Sequence, residues 1–286
     1  GLVYVVNTDP PSPDYNQFIT SVTIAAGSNV PGSLGLRGAD VSADGKRLYI
    51  AAPGKVLFGG ANNALMPDEG DIVILDVDPA SPTFLQKTWK VQKVGIEPYA
   101  VNATIARDIV TFSLRGGGAS PLRTGDAQGF SYLVANAAGT SWTRGAVPLN
   151  LGTANDSFDL DDASGIVVTR NLDYAFVTGY TRYVQDSPSR DPNVNPKNPG
   201  GGNVGIIRDP FNLQGKQKLL GATRSLPLSF PEGIALSTDD QYLYVGYGTL
   251  GGVFVYDAKA LIAAAENPPS YIDPQREGIN NGPETP

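Results

Sequence analysis

The chain has 286 residues, 41% of them apolar, which is enough for a packed interior, while 34 glycines and 23 prolines favour many short elements joined by turns. A formal charge of -7 sets the average surface against phosphate backbones and anionic lipid, so nucleic acid is not an expected partner, and the longest apolar run, Ala258 to Ala265, is too short for a bilayer and holds Lys259. The chain has no cysteine and no histidine, which excludes disulfides, thiolate metal sites, cysteine nucleophiles and every Ser-His-Asp arrangement.

Taken in chain order, LVYVVNTDP (Leu2 to Pro10) and FITSVTI (Phe18 to Ile24) read as two strands that match only the later half of a repeat unit, with nothing like a basic-then-apolar leader, so any signal peptide is expected to be gone. GADVSADGKRLYI at Gly38 to Ile50 reads as a hairpin: an apolar strand after Gly, a polar turn at Asp44-Gly45, and a second strand with an aromatic at Tyr49. A loop over Pro53 to Glu69 precedes GDIVILDVDP at Gly70 to Pro79. The acidic residues Asp68, Glu69, Asp71, Asp76 and Asp78 cluster there, and the Asp that ends the strand reads as a turn former.

A poorly preserved unit follows at Pro98 to Phe112, then a loop at Arg115 to Gln128 and a strand at Phe130 to Ala137. The segment NDSFDLDDASG gathers Asp156, Asp159, Asp161 and Asp162 ahead of Gly165. Oxygen ligands at such spacing suit Ca2+, and the same carboxylates equally suit the turns of a solvated connection. The Gly38 hairpin recurs as GIVVTRNLDYAFV at Gly165 to Val177 and, without a gap, as GIALSTDDQYLYV at Gly233 to Val245. Between them, Tyr180 to Asn203 is dense in Pro and Gly and reads as an extended excursion. GGVFVYDAKA at Gly251 to Ala260 repeats the later hairpin, and Asp257 to Asn267 reads as a capped helix.

Taking the aromatic of the second strand as a ruler, Tyr4, Tyr49, Phe112, Phe176 and Tyr244 mark about five degenerate repeats. Hairpins repeated at this spacing predict an all-β fold: a β-propeller of about five four-stranded blades, alone or as part of a larger propeller. Residues 1–269 form the propeller, and 270–286 form a tail or the start of a further repeat, with Gly278 to Asn280 a candidate return strand.

PEGIALSTDDQYLYVGYGTLGGVFVYD and GADVSADGKRLYIAAPG resemble the YVTN-type repeats of bacterial surface-layer and lactonase-like propellers. That resemblance covers about half the chain and implies architecture more than activity, since such propellers include enzymes and non-enzymes. Two functions stay open: a non-enzymatic module of an exported or cell-surface protein whose rim loops bind a protein or glycan, and a metal-dependent lactonase-like hydrolase with a channel-bound cation. For the second, Glu97 and Glu232 beside the inner strands are the candidate ligands, with Asn102 and Asn155. For the first, Tyr180, Tyr183, Tyr247 and Trp142 are candidates for a ligand-stacking surface. The triglycine runs at Gly116 to Gly118 and Gly200 to Gly202 precede no Lys-Ser/Thr and no helix, so they read as loop tips.

Overall fold

The computed structural model describes residues 1–24, 35–54, 56–59, 64–67, 69–106, 108–115, 129–153, 156–161, 163–185, 201–223, 226–227, 229–267 and 284–285. It shows five antiparallel blades in succession, the architecture of a β-propeller. Blade 1 contributes β1 (Leu2–Val6) and β2 (Phe18–Thr23). Blade 2 runs from the inner strand outward as β3 (Ala39–Val41), β4 (Arg47–Ala52), β7 (Glu69–Asp76) and β8 (Thr88–Ile96), with a separate hairpin of β5 (Val56–Gly59) and β6 (Ala64–Pro67) between its second and third strands.

Blade 3 is β9 (Pro98–Ala103), β10 (Ile109–Leu114), β11 (Gly129–Ala135) and β12 (Trp142–Pro148). After the hairpin β13 (Asn150–Thr153) and β14 (Asp156–Asp161), blade 4 comprises β15 (Ile166–Val168), β16 (Tyr174–Gln185), β17 (Gly201–Arg208) and β18 (Lys218–Thr223), with the short β19 (Leu226–Pro227) against β17. Blade 5 is β20 (Pro231–Leu236), β21 (Tyr242–Tyr247) and β22 (Gly252–Asp257), followed at once by helix α1 (Ala258–Glu266). β23 (Glu284–Thr285) pairs in parallel with the outer strand β18. The return strand expected at Gly278 to Asn280 lies outside the described residues.

The recurring Ser/Thr-x-Asp/Asn signature has one local cause. In blade 2 the Ser42 hydroxyl donates to Asp44 at 2.6 Å and accepts from the Lys46 and Arg47 amides, and Gly45 takes φ +71. Ser237 and Asp239 repeat this turn in blade 5, and Thr169 and Asn171 repeat it in blade 4, with Asp240 and Leu172 in the left-handed region. A side-chain oxygen thus satisfies amides that the tight turn leaves without a ladder partner.

The blades cohere through their flat faces. Tyr49, Ile72 and Ile74 of blade 2 pack on Val110, Phe112 and Leu114 of blade 3. Phe130 and Val147 of blade 3 meet Ala175, Val177 and Ile207 of blade 4, and Phe176 and Ile206 of blade 4 meet Leu243 and Val245 of blade 5. Along each strand alternate residues therefore face the preceding and the following blade. Two ruler residues need correction on this basis. Tyr4 lies in β1, which is a third strand: its loop to β2 matches that from β7 to β8, with Asn16 and Leu85 at φ +62 and +57 donating to the carbonyls of Asn7 and Asp76. In blade 3 the counterpart of Tyr49 is Thr111, because the Thr104 amide bonds the Ile109 carbonyl as the Ser42 amide bonds that of Arg47. Phe112 lies one residue further on and faces the other way, into the seam with blade 2.

Adjacent inner strands abut through glycine. The Gly38 amide donates to the Tyr99 carbonyl at 2.7 Å, and a Cβ at Gly38 would lie 2.7 Å from that oxygen and 2.9 Å from Ala100 Cα. Gly165 is seated in the same way, with the Glu232 carbonyl 2.6 Å from where its Cβ would be. At Gly38 and Gly165 a side chain would meet the neighbouring inner strand, whereas blade 3 carries Ala100 at the equivalent position.

Candidate functional site at the loop-bearing end

In an antiparallel blade the start of the inner strand and the end of the second strand share one end of the molecule. At the other end the turns between inner and second strands are short and alike. At this end the links between second and third strands are long in blades 2 and 3, against four residues (248–251) in blade 5: 53–68 in blade 2 carries β5 and β6, and 115–128 in blade 3 lies largely outside the described residues. In blade 4, β16 runs on to Gln185 and pairs with β14 and with Gly201 to Asn203, so the first part of the expected solvated excursion is sheet.

Residues that lead into the inner strands ring this end. Gly38, Ala100, Gly165 and Gly233 occupy equivalent positions, so the preceding Arg37, Tyr99, Ser164 and Glu232 form one set. Arg37 and Arg115 both lie over the Tyr99 ring, with guanidinium carbons 5.9 and 4.5 Å from its centroid. Arg37 is exposed and Arg115 half-buried, and neither has an ion-pair partner among the described residues. Two cations without an ion-pair partner among the described residues share one aromatic ring in a chain that is acidic overall. The ring holds each through cation–π attraction, and their mutual repulsion falls when an anion bridges them.

The expected metal ligands are dispersed. Glu232 is an exposed member of that set, whereas Glu97 is half-buried, sits two positions earlier in its own blade, holds φ +52 and accepts the Arg115 amide at its carbonyl. Asn102 lies on β9, its carbonyl accepting from the Thr111 hydroxyl at 3.0 Å. Among the described residues no three carboxylates gather as a metal site requires. Asp156, Asp159 and Asp161 fall along the extended strand β14, with Asp156 and Asp159 at opposite parity, and Asp162 and Asn155 lie outside the described residues.

The aromatic candidates also separate. Tyr180 and Tyr183 lie on the extended part of β16, opposite Asp161 and Phe158. Tyr247 is fully buried, edge-on to Phe254 at 4.9 Å, with its hydroxyl 3.2 Å from that of Tyr256, so its ring is packed inside blade 5 and presents no face to a ligand. Burial, then the Tyr256 contact, pushes its phenol well above the ordinary range.

Trp142 lies at the opposite, short-turn end, where a cleft of about 680 Å³ between blades 2 and 3 is lined by Asp44, Arg47, Tyr49, Asn136 and Trp142. Burial raises the Tyr49 phenol there; the Trp142 indole N–H offsets part of this but stops short of a hydrogen bond. Burial alone would raise the Asp44 carboxyl, yet the Ser42 hydroxyl and Lys46 amide hold it below its usual value. Arg47 stacks on Trp89 at 4.5 Å and pairs with Asp76 at 3.6 Å, so the cationic wall of this cleft is already engaged within blade 2.

No family model and no curated protein matches the sequence. Solved structures do share its fold. Hydrazine synthase of Kuenenia stuttgartiensis is 15% identical, with 94% of this chain and 66% of that one aligned at a TM-score of 0.56. Proteins assigned as 6-phosphogluconolactonases from Bacteroides fragilis (11% identical, 90% and 60% covered, TM-score 0.52) and Bacteroides uniformis (10%, 89% and 59%, 0.50) are similar in the same way. This chain spans between 59% and 66% of the length of these structures. At such identities the likeness extends to the fold, and the chain is a β-propeller of the architecture that lactonase-like proteins also use.

Proposed function

We propose that this chain is a binding module whose loop-bearing end receives an anionic group, a carboxylate or a phosphate, between Arg37 and Arg115. The observation that carries this is the pair of guanidiniums on Tyr99, without an ion-pair partner among the described residues, at the end of the molecule from which the long connections leave. A guanidinium offers a planar donor fork to an oxyanion and is weakly hydrated, so its interactions survive partial burial. The net charge of -7 sets the average surface against anions, so anion binding at this end has to come from the local pair of guanidiniums. The module is read as non-enzymatic and as part of an exported or cell-surface protein; the cysteine-free, acidic composition supports export.

Titration with inorganic phosphate and with glucuronate, followed by calorimetry, tests this. Removing both guanidiniums in the Arg37→Ala/Arg115→Ala variant is expected to weaken binding by about tenfold or more, since a hydrogen bond to a charged group contributes about 1.5–3 kcal/mol. Added salt should weaken the wild type in the same direction. Unchanged affinity in the double variant would refute the site. Turnover of gluconolactone that needs added Ca2+ and is lost in Glu97→Gln or Glu232→Gln would replace this reading with the hydrolase.

A further inference from the structure

The two ends of the five-blade arc are unlike the seams within it. Tyr49 and Ile74, cross-strand partners in blade 2, are 2% and 0% exposed beneath blade 3. Their counterparts Phe176 and Ile206 in blade 4 are both 0% exposed beneath blade 5. In blade 5 the same pair is Tyr244 and Val255, at 40% and 58%, with Val253 at 66% beside them.

The face of blade 1 that points the other way is open as well. Tyr4 and Val6 are 64% and 44% exposed, whereas Val73 and Leu75, at the same places in blade 2, are 3% and 0%. The two open faces do not cover each other.

Gly233 marks the same discontinuity on the inner strand. Gly38 and Gly165 are required because the next inner strand lies within 3 Å of any Cβ. Gly233 has nothing within 4 Å, and its φ lies outside the positive range that glycine favours. It borders a shallow cleft of about 400 Å³ together with Glu232, Tyr247 and Val253. Among the described residues neither packing nor backbone conformation accounts for a glycine there.

We propose that Gly233 and the Tyr244–Val255 face seat a further propeller blade, supplied by the same polypeptide beyond these 286 residues, and that the Tyr4–Val6 face closes on the other side of the inserted blades. The occupant is a blade because these faces continue the existing seams in register, with the same residue types at the same strand positions. The alignment with the structures of similar fold covers 59% to 66% of their length.

The test compares the 286-residue chain with the complete gene product. In the short chain Gly233→Ala should leave the Tm unchanged while Gly165→Ala lowers it by several degrees; in the complete product both should lower it. Val255→Cys places a thiol on the open face of a chain without cysteine, and its maleimide labelling, located by peptide mass mapping, should be at least about tenfold slower in the complete product. Gly233→Ala silent in both, or equal labelling in both, overturns the proposal. Labelling of the short chain that slows as its concentration rises assigns the face to a second copy, and overturns it too.

Discussion

Asp76 offers the sharpest test of how a blade is held together. Its side chain, 3% exposed, accepts the Ser81 and Thr83 hydroxyls at 2.6 Å each and the Asp78 amide at 3.1 Å, beside the Arg47 guanidinium at 3.6 Å. Asp76→Ala leaves these donors and a half-buried cation without their anion. Breaking a buried pair by removing one partner costs about 3–5 kcal/mol. At about 2–4 °C per kcal/mol for a chain of this size, the Tm should fall by about 6–20 °C. Asp76→Asn keeps the shape and one acceptor and should cost about half as much.

The pH dependence has a fixed sign. Burial alone would raise the Asp76 carboxyl, but the Ser81 and Thr83 hydroxyls, the Asp78 amide and Arg47 together hold it below its usual value. Its contribution is therefore complete above about pH 4, the unfolded value for Asp, and is lost as pH falls through the lower folded value. Thermal unfolding followed by circular dichroism should show the gap between wild type and Asp76→Asn shrinking from pH 7 towards pH 3. A Tm of Asp76→Ala within about 2 °C of wild type at pH 7, or a gap that does not change with acid, refutes the reasoning.

Gly38→Ala places a methyl against backbone atoms that cannot yield as a side-chain tip would, and urea unfolding should show a loss of about 1–3 kcal/mol. Asp257 caps α1 by accepting the Ala260 amide at 3.0 Å, so Asp257→Ala should cost about 1 kcal/mol in the same assay. The raised phenol of Tyr247 contributes stability that is complete below about pH 10 and declines as pH rises past the unfolded tyrosine value. Tyr247→Phe should flatten that alkaline decline in a Tm series from pH 8 to about 11.

The repeat made the blades legible because each is a local hairpin. Gly, a hydroxyl-bearing turn and an alternating strand recur at Gly38, Gly165 and Gly233, and a turn satisfies its own amides from neighbours in sequence. Blade 3 was blurred because Thr111 occupies the place that Tyr49 and Phe176 fill elsewhere, so matching on aromatic residues shifted the register by one. LVYVVNTDP and FITSVTI match the later half of a unit in sequence, and the structure agrees, so Tyr4 lies on a third strand and does not belong with the second-strand aromatics.

The site was not legible in this way. Arg37, Tyr99 and Arg115 come from two blades and belong to no repeated motif, and Glu97 and Glu232 share a neighbouring proline but not a register. The amino-acid sequence alone determined the strand pattern and the turn chemistry, because these depend on contacts a few residues apart. Which faces are buried, which aromatics are core, and which charges stand together were decided only when blade packed on blade, because burial and charge proximity are set by seams between segments distant in the chain.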